Sequence, residues 1–394
     1  MHNWKDSAKR ITTYFNKPNG KITLGIDGYI DEVWQIIASK KGKAEYIFLD
    51  KMRDFSDAIH DSGTGGFLTE MLPKRRSYGG FGCNTGKAVG NLGFDLTLIG
   101  TYGTDSIDPL FLEFSQQYKL FSVGNPGIAQ VFEFTDGKIM LVHVAETSNL
   151  NWEQMIHALS YDTLKKIYSE ADIVGLGYWS LLCNFDDIIS KLYTHFLENG
   201  KCKRVFFDFS DFRKHDKETL FNTFHILGNL NKKIPMTLSV NEHEAKILYS
   251  YFGKDFEDGK PELAKIGIDY IRTKIGMDEL VIHTPSFAAA SSAKEGNAIV
   301  LQRFCKNPVI TTGAGDNFNG GYLAASVRSK ELNLSERLLI GNAATGSYIR
   351  TGKAPNTERL LTEIHEIGKE KYENCKWLPI NGICQKKSIH TTRL

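Results

Sequence analysis

The sequence has no paired cysteines: the six present (Cys83, Cys183, Cys202, Cys305, Cys375, Cys384) include no C-x-x-C. That argues against a zinc ribbon or a disulfide framework and fits a reducing compartment. No charge of one sign dominates, with 48 Lys+Arg against 46 Asp+Glu and a formal net charge of +2. A nucleic-acid partner would call for a strong basic excess on one face, so none is expected. No apolar run approaches the roughly 18 residues that cross a bilayer, so no membrane partner is expected either. Met1-His2-Asn3-Trp4-Lys5-Asp6 carries no apolar h-region. No signal peptide is therefore expected, and the expected compartment is the cytoplasm.

What remains is ordinary for a globular chain: 394 residues, 41% hydrophobic and 24% charged. Residues 1–21 read as a polar lead-in ending in the turn Pro18-Asn19-Gly20. Buried strands are expected over 22–26, 96–100, 173–177, 205–209, 237–240, 280–283 and 299–301, with helical segments between several of them. Strand–helix alternation at this spacing predicts an α/β fold, a central mostly parallel sheet with helices on both faces. Asp136-Gly137 between two β-rich runs predicts a tight hairpin within 128–146. With residues 40–78, an excursion from the main sheet, it would make a small β element. From about residue 366 a helix and an irregular basic tail are expected.

One stretch organises the rest: Val309-Ile310-Thr311-Thr312-Gly313-Ala314-Gly315-Asp316-Asn317-Phe318-Asn319-Gly320-Gly321-Tyr322. Gly313, Ala314 and Gly315 carry no bulky side chain, so an anion can approach their amides closely. The helix that follows would aim its N-terminal dipole at the same point. Asp316, in its first turn, would repel a phosphate but suits a base for a hydroxyl attacking that phosphate. Its bland reading is a carboxylate balancing the dipole.

Other segments carry candidates. Asp27-Gly28 ends the first strand and Asp31 follows, where open α/β sheets hold ligands. Asn84, Ala88 and Asn91 in Tyr78-Gly79-Gly80-Phe81-Gly82-Cys83-Asn84-Thr85-Gly86-Lys87-Ala88 are spaced for one helix stopped by Gly93. Asn84 could also cap it. Gly86-Lys87 is no P-loop, because Phe81 replaces the first glycine and Ala88 the magnesium-binding hydroxyl residue. Asn241-Glu242-His243-Glu244 follows a strand. Lys74-Arg75-Arg76 reads as a solvated face that could also meet a sugar phosphate.

Gly79-Gly80 with Asn84, then Asn241-x-x-Glu244, then Gly313-Ala314-Gly315-Asp316 together resemble the ribokinase-like, PfkB-type carbohydrate kinases, over roughly residues 22–355. The resemblance implies a single kinase domain over 22–365, with 40–78 and 128–146 as a lid that closes over the sugar and can form a homodimer contact. It implies Asp316 as general base and the Gly313, Ala314 and Gly315 amides as anion hole. Asp31, Gly79, Gly80 and Asn84 would hold sugar hydroxyls. Asn241 and Glu244 would organise Mg2+ and its waters beside ATP, with Asn342 beside the adenine. Thr284-Pro285-Ser286 stands where relatives carry a glycine-bearing turn at the nucleotide, and Thr284 joins the nucleotide-binding candidates. His243 and His283 are expected to be structural.

The departures matter. Ile310 stands where the signature usually opens with an acid, which leaves the monovalent cation served by that acid open. Asp208-Phe209-Ser210-Asp211-Phe212-Arg213 only loosely matches D-x-N-x-R. Gly25 to Asp31 is one residue longer than the common spacing, as in ADP-dependent sugar kinases; ATP is the reading because the 311–316 stretch follows the ATP-dependent pattern. The expected activity is ATP-dependent phosphorylation of a sugar hydroxyl. A nucleoside kinase and a catalytically silent, ligand-binding regulator are the alternatives.

Overall fold

The computed structural model describes residues 4–42 and 45–369, together with the backbone of 377–380 and 383–386. In chain order its strands are β1 (Lys21–Gly25), β2 (Tyr29–Lys41), β3 (Glu45–Phe48), β4 (Glu70–Gly79), β5 (Asp95–Gly100), β6 (Lys119–Ser122) and β7 (Gly127–Phe134). They continue with β8 (Gly137–His143), β9 (Ile173–Leu176), β10 (Arg204–Asp208), β11 (Met236–Asn241), β12 (Glu279–His283), β13 (Phe287–Ser292) and β14 (Gly296–Leu301).

Nine of these form one sheet, ordered β14-β13-β12-β11-β10-β9-β1-β5-β6. From β6 to β12 every pairing is parallel, and β13 and β14 add an antiparallel edge. Period-two alternation sorts each strand's side chains onto two faces. Val205, Phe207, Leu280 and Ile282 enter one buried cluster, while Phe206 and Val281 enter the other beside Phe318 and Tyr322. Helices cover both faces, as continuous apolar runs in parallel strands require.

A second, smaller sheet takes in the expected β element and begins at Tyr29: β2 is a thirteen-residue strand flanked by β4 on one side and β7 and β3 on the other. Asp31 therefore sits within a strand of this second sheet. The β7–β8 hairpin turns at Asp136-Gly137 as expected.

The polar lead-in is a helix, Trp4–Phe15, with Ile11, Tyr14 and Phe15 buried in the core. Tyr14 donates its hydroxyl to Ala324 O at 2.7 Å. The last helix, Thr357–Gly368, starts well before residue 366. Beyond it Trp377–Ile380 pairs antiparallel with Ile383–Lys386, so the tail is not wholly irregular. Its basic end lies outside the described residues. Among the described residues no helix is long and apolar enough to cross a membrane.

Candidate active site

The carboxyl ends of the parallel strands carry two cavities, separated by residues 311–316. The first, about 580 Å3, is lined by Asn241, Glu244, Thr284, Phe304, Asp316 and Asn342 among others. The second, about 690 Å3, includes Asp31, Arg75, Asn84, Ile310, Gly313 and Tyr348. The candidates for nucleotide thus gather in one hollow. Asp31, Asn84 and the start of the glycine loop line the other. Gly79 and Gly80 lie behind it, packed against the Asp31 and Asp27 carboxylates respectively.

Gly313 adopts φ +81°, a left-handed turn that admits glycine without strain and starts the Ala314–Ser326 helix. That helix is buried on every side from Asp316 to Ser326. A Cβ at Gly320 would stand 2.6 Å from Ala88 Cβ, so the bare backbone lets it press against the Phe81–Asn91 helix. The loop before it is pinned: Tyr348 donates to Thr312 O at 2.8 Å, Asn317 Nδ2 to Gly313 O at 2.9 Å, and Thr345 Oγ1 to Ala314 O at 2.9 Å. Among the described residues the amides of Gly313 and Gly315 meet no acceptor, but Ala314 donates to Thr311 O at 3.1 Å. Two of the three amides expected to be open are open, and the third closes a turn.

Asp316 is buried, and both its oxygens accept hydrogen bonds. Tyr178 Oη donates to Oδ1 at 3.0 Å and Asn84 Nδ2 to Oδ2 at 3.2 Å. Asn84 lies in the first turn of its helix, whose cap is Gly80, so it is free of the capping role. Burial, and then the neighbouring Asp208 carboxylate, push the Asp316 carboxyl well above the usual range. Asp208 is itself held at about 6 by burial, although Asn319 Nδ2 donates to it at 2.7 Å. Asp27 is fully buried, raised to about 7, and accepts the amides of Phe81 at 2.8 Å and Gly82 at 3.1 Å. It fixes the start of the helix that carries Asn84. Asp31 is raised to about 6 by burial, against the pull of Lys138 and Arg75.

Asn241 and Glu244 form a capping box on the Glu242–Tyr251 helix. The Asn241 amide and Nδ2 donate to Glu244 at 2.9 and 2.7 Å. Glu244 is raised well above its ordinary range by burial and by Asp208. None of Asp27, Asp208, Glu244 and Asp316 is in an ion pair among the described residues. No set of three or more His, Cys, Asp or Glu side chains there forms a direct metal cage. Mg2+ characteristically keeps waters and takes one or two carboxylates plus phosphates, and Glu244, in no ion pair on the cavity wall among the described residues, suits that mode.

Two nucleotide candidates are engaged with the protein itself. Asn342 Nδ2 donates to Val300 O at 3.1 Å and its carbonyl accepts Gln302 at 3.2 Å, tying its helix to β14. Thr284 Oγ1 donates to Phe287 O at 2.9 Å within the β12–β13 turn. Both line the cavity, and each side chain also has a hydrogen-bond partner within the protein. His283 stacks on Phe318 at 4.9 Å and burial lowers it to about 4, so it is neutral.

A family model described as prokaryotic ketohexokinase matches residues 5–366. The chain belongs to that family. Ketohexokinase of Haloferax volcanii is 26% identical over 345 residues, covering 86% of this chain and 90% of that one. Among solved structures, ribokinase of Arabidopsis thaliana with ribose and ATP aligns with a TM-score of 0.62 at 19% identity, over 88% of this chain and 98% of that one. Phosphofructokinase-2 of Escherichia coli with substrates and products aligns at 0.58 and 14%, over 89% and 99%. A Methanocaldococcus jannaschii nucleoside kinase aligns at 0.57 and 16%, over 88% and 98%. At such identities the likeness establishes the ribokinase-like fold. With the family membership, the protein is a carbohydrate kinase.

None of Asp27, Tyr178, Asp208 and Asn319 was given a site role from the sequence, although Asp27 was read as a polar group at a strand end and Asp208 as part of a loose D-x-N-x-R match. Three of them had a usable signal: Asp27 and Tyr178 stand two residues past β1 and β9, and Asp208 ends β10, where ligands gather in open sheets.

Proposed function

We propose that the protein transfers the γ-phosphoryl group of ATP to a hydroxyl of a ketohexose. The observation that carries this reading is the place of Asp316: a carboxylate at a helix start, beside the open Gly313 and Gly315 amides, lining the first cavity and bonded to Asn84, which lines the second. The larger, polar hollow with Asp31 and Asn84 takes the sugar, and the hollow with Asn241, Glu244 and Phe304 takes ATP. Asp316 accepts the proton of the attacking hydroxyl while the two amides offset charge on the transferred group. Asn241 and Glu244 would hold Mg2+ through water, and the ion supplies charge neutralisation at the phosphates when bound. The lid keeps water out, which matters because an open site would hydrolyse ATP. Exposed Ile47, Met71 and Leu141 on the lid support its use as a dimer contact as well.

The test is ADP release with ATP·Mg2+ over a panel of ketohexoses, aldoses, sugar phosphates and nucleosides. A ketohexose is expected to give the highest kcat/KM, at least about tenfold over the aldoses. A nucleoside leading the panel would replace this reading, and a sugar phosphate leading it would assign Arg75 a phosphate.

A further inference from the structure

Of the two donors on Asp316, Asn84 came from the family motif, whereas Tyr178 belongs to none. Tyr178 follows β9, and its ring packs edge-on against Phe81 at 6.3 Å, which stacks on Phe206. It lines the ATP-side cavity, while Asn84 lines the sugar-side one. Asp316 is thus held by one donor from each hollow.

We propose that Tyr178 is the positioning residue of the base: its hydroxyl favours the ionised form of the Asp316 carboxyl, aims it, and yields Oδ1 to the incoming sugar hydroxyl. The sugar O–H bond then breaks as the proton passes to Asp316. The sugar oxygen bonds the γ-phosphorus as the bond to the leaving ADP oxygen breaks with its electron pair.

The surroundings explain why a neutral donor stands here. The groups facing Asp316 are Asp208 from β10, Asp27 after β1, Tyr348 from the Leu334–Thr351 helix and Tyr178, with neutral His283 beside Gly315. No cation is among them. Burial and like charge would leave Asp316 protonated, and a protonated carboxyl is no base. A lysine would ionise it but would also grip the phosphoryl group on either side of transfer. Tyr178 is pushed well above the ordinary tyrosine range by burial and by the Asp316 and Asp208 carboxylates, so it stays a donor. Donation to the charged form favours ionisation.

The inference rests on Asp316 being the base, and two variants keep the questions apart. Asp316→Asn decides the base: surviving turnover would remove that reading and this one with it. Given an inactive Asp316→Asn, kcat/KM for the sugar is followed against pH in Tyr178→Phe at saturating ATP. The acid limb is expected to move up by about one pH unit, with the rate regained to within about threefold on the alkaline side. Asp27, Asp31 and Asp208 are also raised by burial but take no hydrogen bond from Tyr178 among the described residues. Fluorotyrosine at position 178, a stronger donor of the same shape, should move the limb down, and it covers the case in which the phenylalanine variant misfolds. A limb unmoved in the fluorotyrosine enzyme, or a Tyr178→Phe rate lowered equally at every pH, would reduce Tyr178 to a structural prop.

Discussion

The sheet buries charge at both ends, in opposite ways. At the carboxyl ends Asp27, Asp208, Glu244 and Asp316 have no ion-pair partner among the described residues, and each is pushed above its ordinary range. At the amino ends Glu279 meets Arg337 at 2.7 Å and Arg204 at 3.3 Å, and Arg204 also meets Asp278 at 2.7 Å. Burial would raise Glu279, but the two guanidinium groups outweigh it and hold it low. One helix touches both ends: Asp316 opens it, and Tyr322, two turns on, donates to Glu279 at 2.8 Å. A buried charge whose partner is present serves the fold; one whose partner is missing marks where a ligand completes the structure.

Exchanging damage between the two ends should exchange the symptom. Asp316→Asn is expected to cut kcat roughly 100- to 10,000-fold while leaving the urea midpoint unchanged or higher, since one of four like charges is gone. Glu279→Ala should do the reverse. Arg337 is fully buried and, beside its bond to Leu332 O, keeps Glu295 as its carboxylate partner among the described residues, so a loss of about 3 kcal/mol is expected in urea unfolding, with kcat of the folded fraction near the parent value. Loss of kcat without loss of stability in Glu279→Ala would mean that the ionic end aims Asp316 through Tyr322.

The pH dependence of stability separates the ends again. Asp27 titrates at about 7 when folded and near 4 when unfolded, so between those values the folded chain binds more protons. Asp31 and Asp208, at about 6, act in the same direction. Stability without ligand should therefore fall as pH rises from about 4 to 7, giving a higher urea midpoint at pH 5.5 than at pH 8. Glu279, held low, adds nothing to that slope, because its contribution is lost only on further acidification. Asp27→Asn should flatten the curve. A midpoint that rises toward pH 8 would mean that the carboxylates find cations the structure does not hold.

The contrast also explains which features were legible in the chain. Gly313-Ala314-Gly315-Asp316 could be read because an anion cradle needs small residues in sequence, and local chemistry needs no tertiary information. Parallel strands could be read because burial on both faces makes apolar runs. β13 was missed: Phe287-Ala-Ala-Ala-Ser-Ser292 has little strand propensity and pairs only because β12 and β14 flank it. The first helix was missed because its apolar stripe, Ile11, Tyr14 and Phe15, is short and set among polar residues. The strand that carries Asp31 was missed because Asp31, Glu32 and Gln35 interrupt the apolar run of β2. Tyr178 belongs to no motif; only the convergence of three elements brings it to Asp316.

The smallest effect concerns how the lid meets the body. Lys138 on β8 reaches across the cleft to Thr312 Oγ1 at 2.6 Å, one residue before the glycine loop, with Asp31 and Glu133 as its nearby carboxylates. Both groups of this contact are exposed, so it is worth about 1 kcal/mol at most. On the proposed reading of the second sheet as a lid, it favours closure without fixing it, as a lid that must reopen for product requires. Thr312→Val should therefore raise KM for the sugar about two- to fivefold and leave kcat within about twofold. Lys138→Met should do the same through the same bond, so the double variant should be no worse than either single one. Additive losses would mean that Lys138 acts on the substrate itself, and a kcat loss confined to Lys138→Met would point to the transferred phosphoryl group as its partner.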